Sequence, residues 1–206
     1  MSGQYKYRFT IFTPCYNSEK FIHRVFESLE SQVFRDFEWI VLNDASTDNT
    51  HTILENYKAT ANFPIQYINL TTNQMLSNNF NRAFEMAQGE LTVFAGHDDR
   101  FFPETLQVFD EVWSQYGSDN ISGIKCLCQD QHGKLVGNEF PEPVMVSNFF
   151  TLFCKYIYTQ ERYSCTRTDV LRKFPFDTSE ILYVPEGTMW CKIGMEYDTI
   201  FLNKIL

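Results

Sequence analysis

The sequence predicts an α/β protein whose central sheet is mostly parallel and flanked by helices. Three observations carry that prediction. Over the first ~110 residues, short apolar runs alternate in strict turn with stretches of helical periodicity, the pattern of a doubly wound sheet. The run FEWIVLND (37–44) is apolar without alternation, as in a strand covered on both faces. Each apolar run also ends in a polar cluster, where such folds bind ligands beyond the carboxyl ends of their strands.

RFTIFTPCYN (8–17) is the first strand, closed by a Pro-containing stop. In SEKFIHRVFESLESQVF (18–34), Phe21, Val25, Leu29 and Val33 recur four apart with Ile22 and Phe26 alongside, a helical stripe with Ser18 as N-cap. FEWIVLND is the second strand, STDNTHTILENYKAT a polar cap and helix, and PIQYINLT the third strand. Leu76, Phe80, Ala83, Phe84 and Ala87 mark a helix, with Gly89 suited to the left-handed position past its end. ELTVFAGHDD is the fourth strand, and Pro103 opens a helix carrying Leu106, Phe109, Val112 and Trp113. Beyond Gly117 the alternation loosens. ISGIKCLC reads as a strand, QDQHGKLVG as a hairpin turning at Gly133, SNFFTLFCKYIY as an aromatic helix, and PEGTMWCKIGMEYDTIFL as a helix after a loop. With no linker, repeat or low-complexity segment, 1–206 reads as one domain, a site-bearing half at about 8–117 and a second half at about 118–206.

Composition narrows the function. The net charge of −9 disfavours a nucleic-acid partner or a basic membrane patch, and suits an acidic cluster that awaits a cation. No apolar leader and no apolar run of spanning length occur, so a cytoplasmic protein is expected. The six cysteines lack C-x-x-C spacing; Cys126 and Cys128 read as two buried thiols of one strand. No Gly-rich phosphate loop occurs, which weakens an unrelated phosphate-binding fold.

Three polar strand ends should meet: PCYN (14–17), NDAS (43–46) and GHDD (96–99). Taken alone, Asp98 and Asp99 read as a helix-start pair, and Asp44 as a turn aspartate or cap. Brought together, they form an acidic pocket best relieved by a hard divalent cation with oxygen ligands, which would bring a diphosphate with it.

The order of these motifs resembles family 2 glycosyltransferases of the GT-A fold. The resemblance rests on TPCYNSEKFIHRVFESLESQVFRDFEWIVLNDASTDNT and NQMLSNNFNRAFEMAQGELTVFAGHDDRFFPETL, strongly over residues 8–110 and more weakly over 180–205. It implies an inverting, metal-dependent transferase that moves a sugar from a nucleotide diphosphate to a saccharide or glycoconjugate acceptor, in cell-surface polysaccharide synthesis. The implied donor-binding set is Pro14, Tyr16, Asn17, Asp44, His97, Asp98 and Asp99. Asp44 would accept the uracil ring N–H, favouring a UDP-sugar, and Asp98 would hold Mn²⁺ or Mg²⁺. Location at the inner face of the membrane and a homodimer are compatible with it. The family's late Glu-Asp pair aligns with VPEGTMW, so Glu186 is the implied base; by itself it is equally a helix cap, and Asp169 and Asp177 are lesser candidates. NFFTLFCKYIY and Trp190 read as core, or as the lining of an acceptor pocket.

Three departures stand out. The first acid of the acidic motif is Gly96, Gly187 occupies the second place of the acidic pair, and Met75 with Asn79-Phe80-Asn81 replaces a Gly and an Ala-Arg-Asn run. A phosphate-binding Arg is thereby missing, with Arg82 or Arg100 as substitutes or simple surface residues. An alternative therefore accompanies the enzyme: a catalytically impaired nucleotide-sugar-binding protein of the same fold.

Overall fold

A computed structural model describes residues 5–148, 150–152, 161–179 and 184–206. One eight-stranded sheet runs through it in the order β3-β2-β1-β4-β7-β5-β8-β6. The strands are β1 (Tyr7–Cys15), β2 (Phe37–Asp44), β3 (Ile65–Leu70), β4 (Gly89–Phe94), β5 (Ile121–Leu127), β6 (Val144–Asn148), β7 (Tyr163–Arg167) and β8 (Asp198–Ile205). The helices are α1 (His23–Glu30), α2 (Thr50–Thr60), α3 (Met75–Met86), α4 (Thr105–Tyr116), α5 (Thr168–Lys173) and α6 (Glu186–Glu196). β1 to β4 are mutually parallel, β5 and β8 share their direction, and β7 and β6 run against it. No helix among the described residues is long and apolar enough to cross a membrane.

The unbroken apolar character of β2 has the expected cause. Trp39 and Val41 pack with α1, α2 and α4 on one face, while Ile40 and Leu42 pack with α3, α5 and α6 on the other. Polar anchoring adds to this at the amino ends of the strands. The carboxyl of Glu38, 1% exposed, accepts from Thr10 Oγ1 at 2.7 Å, Gln66 Nε2 at 2.6 Å and Gln88 N at 2.6 Å, tying β2 to β1, β3 and the entry of β4.

Several expectations are corrected. α1 begins at His23, four residues later than the Ser18 cap implied; the carbonyl of Ser18, not its hydroxyl, receives the Phe21 and Ile22 amides. Phe21 and Val33 consequently lie outside the helix, and both are exposed. Gly89 is not a left-handed helix end but the first residue of β4, where a Cβ would come 2.3 Å from Thr10 N. Close approach of β4 to β1 is what requires glycine there. Pro103 precedes α4 by two residues. Cys128 is only half-buried, just past the end of β5. DTIFL is strand β8 rather than a continuation of α6. Most of the aromatic segment, residues 149 and 153–160, lies outside the described residues.

Candidate active site

The carboxyl ends of β2 and β4 flank that of β1, so Asp44 and the 96–99 loop open onto the same end of the sheet, roughly 10 Å apart by strand spacing. Two left-handed residues, Asn17 (φ 51°) and Ala45 (φ 59°), turn the chain sharply after β1 and β2. The two turns interlock. Asn17 N donates to Ser46 Oγ at 2.9 Å, Thr47 N to Asn17 Oδ1 at 2.9 Å, and Ser46 N to Asn43 Oδ1 at 3.2 Å. Pro14 sits half-buried at the end of β1, and Tyr16 projects beside it, 51% exposed with its ring face available.

Asp44 is buried, and its carboxyl accepts Gln74 N at 2.7 Å and Met75 N at 3.1 Å. It thus anchors the amino end of α3, with one further acceptor position left on each oxygen. Met75 reaches this bond in a left-handed conformation, φ 65°. A side chain there costs about 1–2 kcal/mol, which glycine avoids. Met75→Gly, offset by glycine's larger unfolded-state entropy, should gain up to about 1 kcal/mol and raise Tm by roughly 2–4 °C in a thermal melt.

The acidic loop closes on itself. Gly96 N donates to Asp99 Oδ2 at 2.7 Å, and Asp99 N to Gly96 O at 3.1 Å. A Cβ at residue 96 would lie 2.9 Å from Asp99 Oδ2 and 3.3 Å from Asp98 Oδ1, so glycine lets both carboxyls fold inward. Burial holds the Asp99 carboxyl above its ordinary range; the Gly96 amide opposes that, and Asp98 and Glu161 add to it. Among the described residues neither carboxyl forms a salt bridge. Arg24 reaches the Asp98 carbonyl oxygen at 3.2 Å instead, and Arg100 pairs with Glu27 at 3.3 Å on the surface. Asp98 is exposed and His97 half-buried beside it. The loop borders a cleft of about 750 Å³, lined also by Arg24, Phe102 and Tyr163.

Among the described residues no group of three His, Cys, Asp or Glu side chains could hold a metal by itself. The donor set nonetheless fits Mg²⁺ or Mn²⁺ in one setting. These ions are commonly held by one or two carboxylates with substrate phosphates and water completing the shell, and an exposed Asp98 beside a half-buried Asp99 offers that number.

Glu186 opens α6 and is half-buried. Burial raises its carboxyl above the ordinary carboxylate range, Glu161 raises it further, and Lys125 opposes both. Glu161 raises the carboxyls of both Asp99 and Glu186, so both lie within its electrostatic reach. The lesser candidates are otherwise engaged: Asp169 pairs with Arg167 at 2.6 Å, and Asp177 accepts from Ser179 N and Oγ. Trp190 packs partly buried on the core beneath α3 and α5. A lysine inside the buried run ISGIKCLC was the available signal for Lys125; Glu161 had none, because its neighbours come from distant segments.

The Glycosyl transferase family 2 model matches residues 10–173. The poly(ribitol-phosphate) beta-N-acetylglucosaminyltransferase TarS of Staphylococcus aureus is 35% identical over 120 residues, 54% of this chain and 20% of its own length. The GalNAc(5)-diNAcBac-PP-undecaprenol beta-1,3-glucosyltransferase of Campylobacter jejuni is 22% identical over 200 residues, 96% of this chain and 62% of its own. The crystal structure of S. aureus TarS 1-349 in complex with UDP-GlcNAc superposes with a TM-score of 0.78 at 25% identity, over 97% of this chain and 59% of that one. The mannosyltransferase PcManGT from Pyrobaculum calidifontis, in complex with GDP-Man and Mn²⁺, shares the fold with a TM-score of 0.69 at 17% identity. The chain thus spans less than two thirds of the length of each of these relatives.

Proposed function

This chain belongs to glycosyl transferase family 2, and from that premise we propose that it transfers a sugar from a UDP-sugar to a saccharide or glycoconjugate acceptor, with inversion. The observation that carries this reading is that Asp44 with the Asn17–Ser46 turn and the loop of Asp98 and Asp99 open onto the same end of the sheet. The influence of Glu161 on both Asp99 and Glu186 supports adding Glu186 to that end. The UDP-GlcNAc complex of TarS, a family relative, supports uridine as the base.

Each residue then has a task. Tyr16 offers a ring face to the base, with Pro14 and Asn17 shaping the turn beneath it. Asp44 accepts the uracil N–H on its remaining acceptor positions. Asp98 would hold Mn²⁺ or Mg²⁺, with His97 and Asp99 shaping the loop around it; the ion would supply positive charge to offset that of the departing diphosphate. Glu186 takes the proton of the acceptor hydroxyl as its oxygen attacks the anomeric carbon and the bond to the diphosphate breaks. A single in-line displacement of this kind inverts the anomeric centre.

A thermal melt tests the binding half of the reading. At a hundredfold excess over Kd, UDP with Mn²⁺ should stabilise the protein by about 2.7 kcal/mol. In Asp98→Asn the Mn²⁺-dependent part of that gain should vanish. Absence of any UDP-induced rise in the native protein would sink the reading.

Gly187 favours a second reading, an impaired sugar-nucleotide binder. It stands where the resemblance expects an acid, and a Cβ there meets no atom within 4 Å. A large gain of transfer in Gly187→Asp would support that alternative; no gain supports Glu186 as sufficient.

A further inference from the structure

Lys125 is the charged residue of β5 that no binding role explains. Its strand neighbours Ile124 and Cys126 pack into the core beneath α1 and α4, so alternation turns Lys125 to the opposite face, towards α6. There its Nζ stands 4.5 Å from the centroid of the Trp190 ring. Glu186 precedes Trp190 by four residues on the same helix, and i and i+4 share a face. One lysine therefore serves both: the indole steadies it, and the carboxyl lies one turn further along.

We propose that Lys125 is a positioning residue that keeps the Glu186 carboxylate ionised and directed into the crevice, an inference that rests on the reading of Glu186 as the base.

Among the described residues, the charged groups named around Glu186 and Lys125 come from two other segments. β5 supplies Lys125, and the entry to β7 supplies Glu161 and Arg162. Arg162 is directed elsewhere, donating to Val136 O and Asn138 O. Glu161 repels the Glu186 charge, so of these groups Lys125 is the one that favours it. Burial brings the Lys125 ammonium down to about 8, so it is charged throughout the acidic range in which Glu186 takes up its proton. A small space of about 10 Å³, about the room of one water molecule, lies between Lys125, Trp190 and Gly194.

The sign follows. Without Lys125 the carboxyl should titrate at higher pH, and a base that must be ionised should lose activity on the acid side only. The direct test is ¹³C NMR titration of glutamate-labelled full chain, with the Glu186 resonance identified by its loss in Glu186→Gln. In Lys125→Met the midpoint should rise by about one pH unit, equal to about a tenfold change in ionisation equilibrium. Lys125→Arg should stay near the native midpoint. If Met at 125 prevents folding, Lys125→Gln removes the same charge at similar length. An unmoved midpoint in the folded neutral variant would overturn the inference, as would an arginine variant behaving like it. Turnover of Glu186→Gln separates the two claims: full activity there removes the base role, whatever the titration gives.

Discussion

Replacing Glu186 by Gln should lower sugar transfer about 10²–10⁴-fold, the range over which a positioned general base contributes. The amide keeps the size of the side chain and its place at the head of α6 but cannot take a proton. UDP binding, measured as the rise in Tm with nucleotide and Mn²⁺, should match the native protein, because the proposed nucleotide contacts, Asp44 and the Asn17 turn, come from elements other than the helix that Glu186 opens. A fall in turnover accompanied by an equal loss of UDP binding would point to a folding defect. Normal turnover would remove Glu186 from the chemistry. The raised carboxyl also gives the native enzyme an acid limb: activity should fall as pH drops through a midpoint above that of an ordinary glutamate.

The largest effect on stability is expected at the other end of the sheet. Glu38→Ala removes the acceptor for Thr10 Oγ1, Gln66 Nε2 and Gln88 N in a site that is 1% exposed. A stranded buried donor costs about 1–3 kcal/mol, and water entering the vacated space relieves part of it. A net loss of about 3–5 kcal/mol, hence a fall in Tm of roughly 10 °C, should appear in a thermal melt. Glu38→Gln keeps one carbonyl oxygen and should lose less. Equal, small losses in both variants would mean that the sheet does not depend on this junction.

The two ends of the sheet also differ in how much of them could be read from the residues. The donor side was legible because its contacts are local in pattern: apolar runs give strands, and the polar cluster after each run lands at the same end of a parallel sheet. Asp44 and Asp98 needed only that rule to reach the same end of the sheet. The second half resisted for three reasons. β7 and β6 run against the other strands, so alternation carries no parallel-crossover signal. DTIFL is apolar without a period, and helix and strand are indistinguishable in so short a run. The chemistry around Glu186 depends on Lys125 and Glu161, which no spacing links to it. Gly89 is instructive too: its residue type was foreseen as special, but the cause is crowding against Thr10 rather than backbone handedness.

The placement of β7 carries a consequence for biogenesis. This strand, begun only at Tyr163, is wedged between β4 and β5, both of which leave the ribosome much earlier. Until it arrives, β4 presents an unpaired edge on the side away from β1. Vectorial synthesis would therefore complete the strand ends that carry Asp44 and Asp98 first and add the helix that carries Glu186 last. Ribosome-stalled chains ending before residue 163 should be protease-sensitive at β4, and those extended past β8 should not.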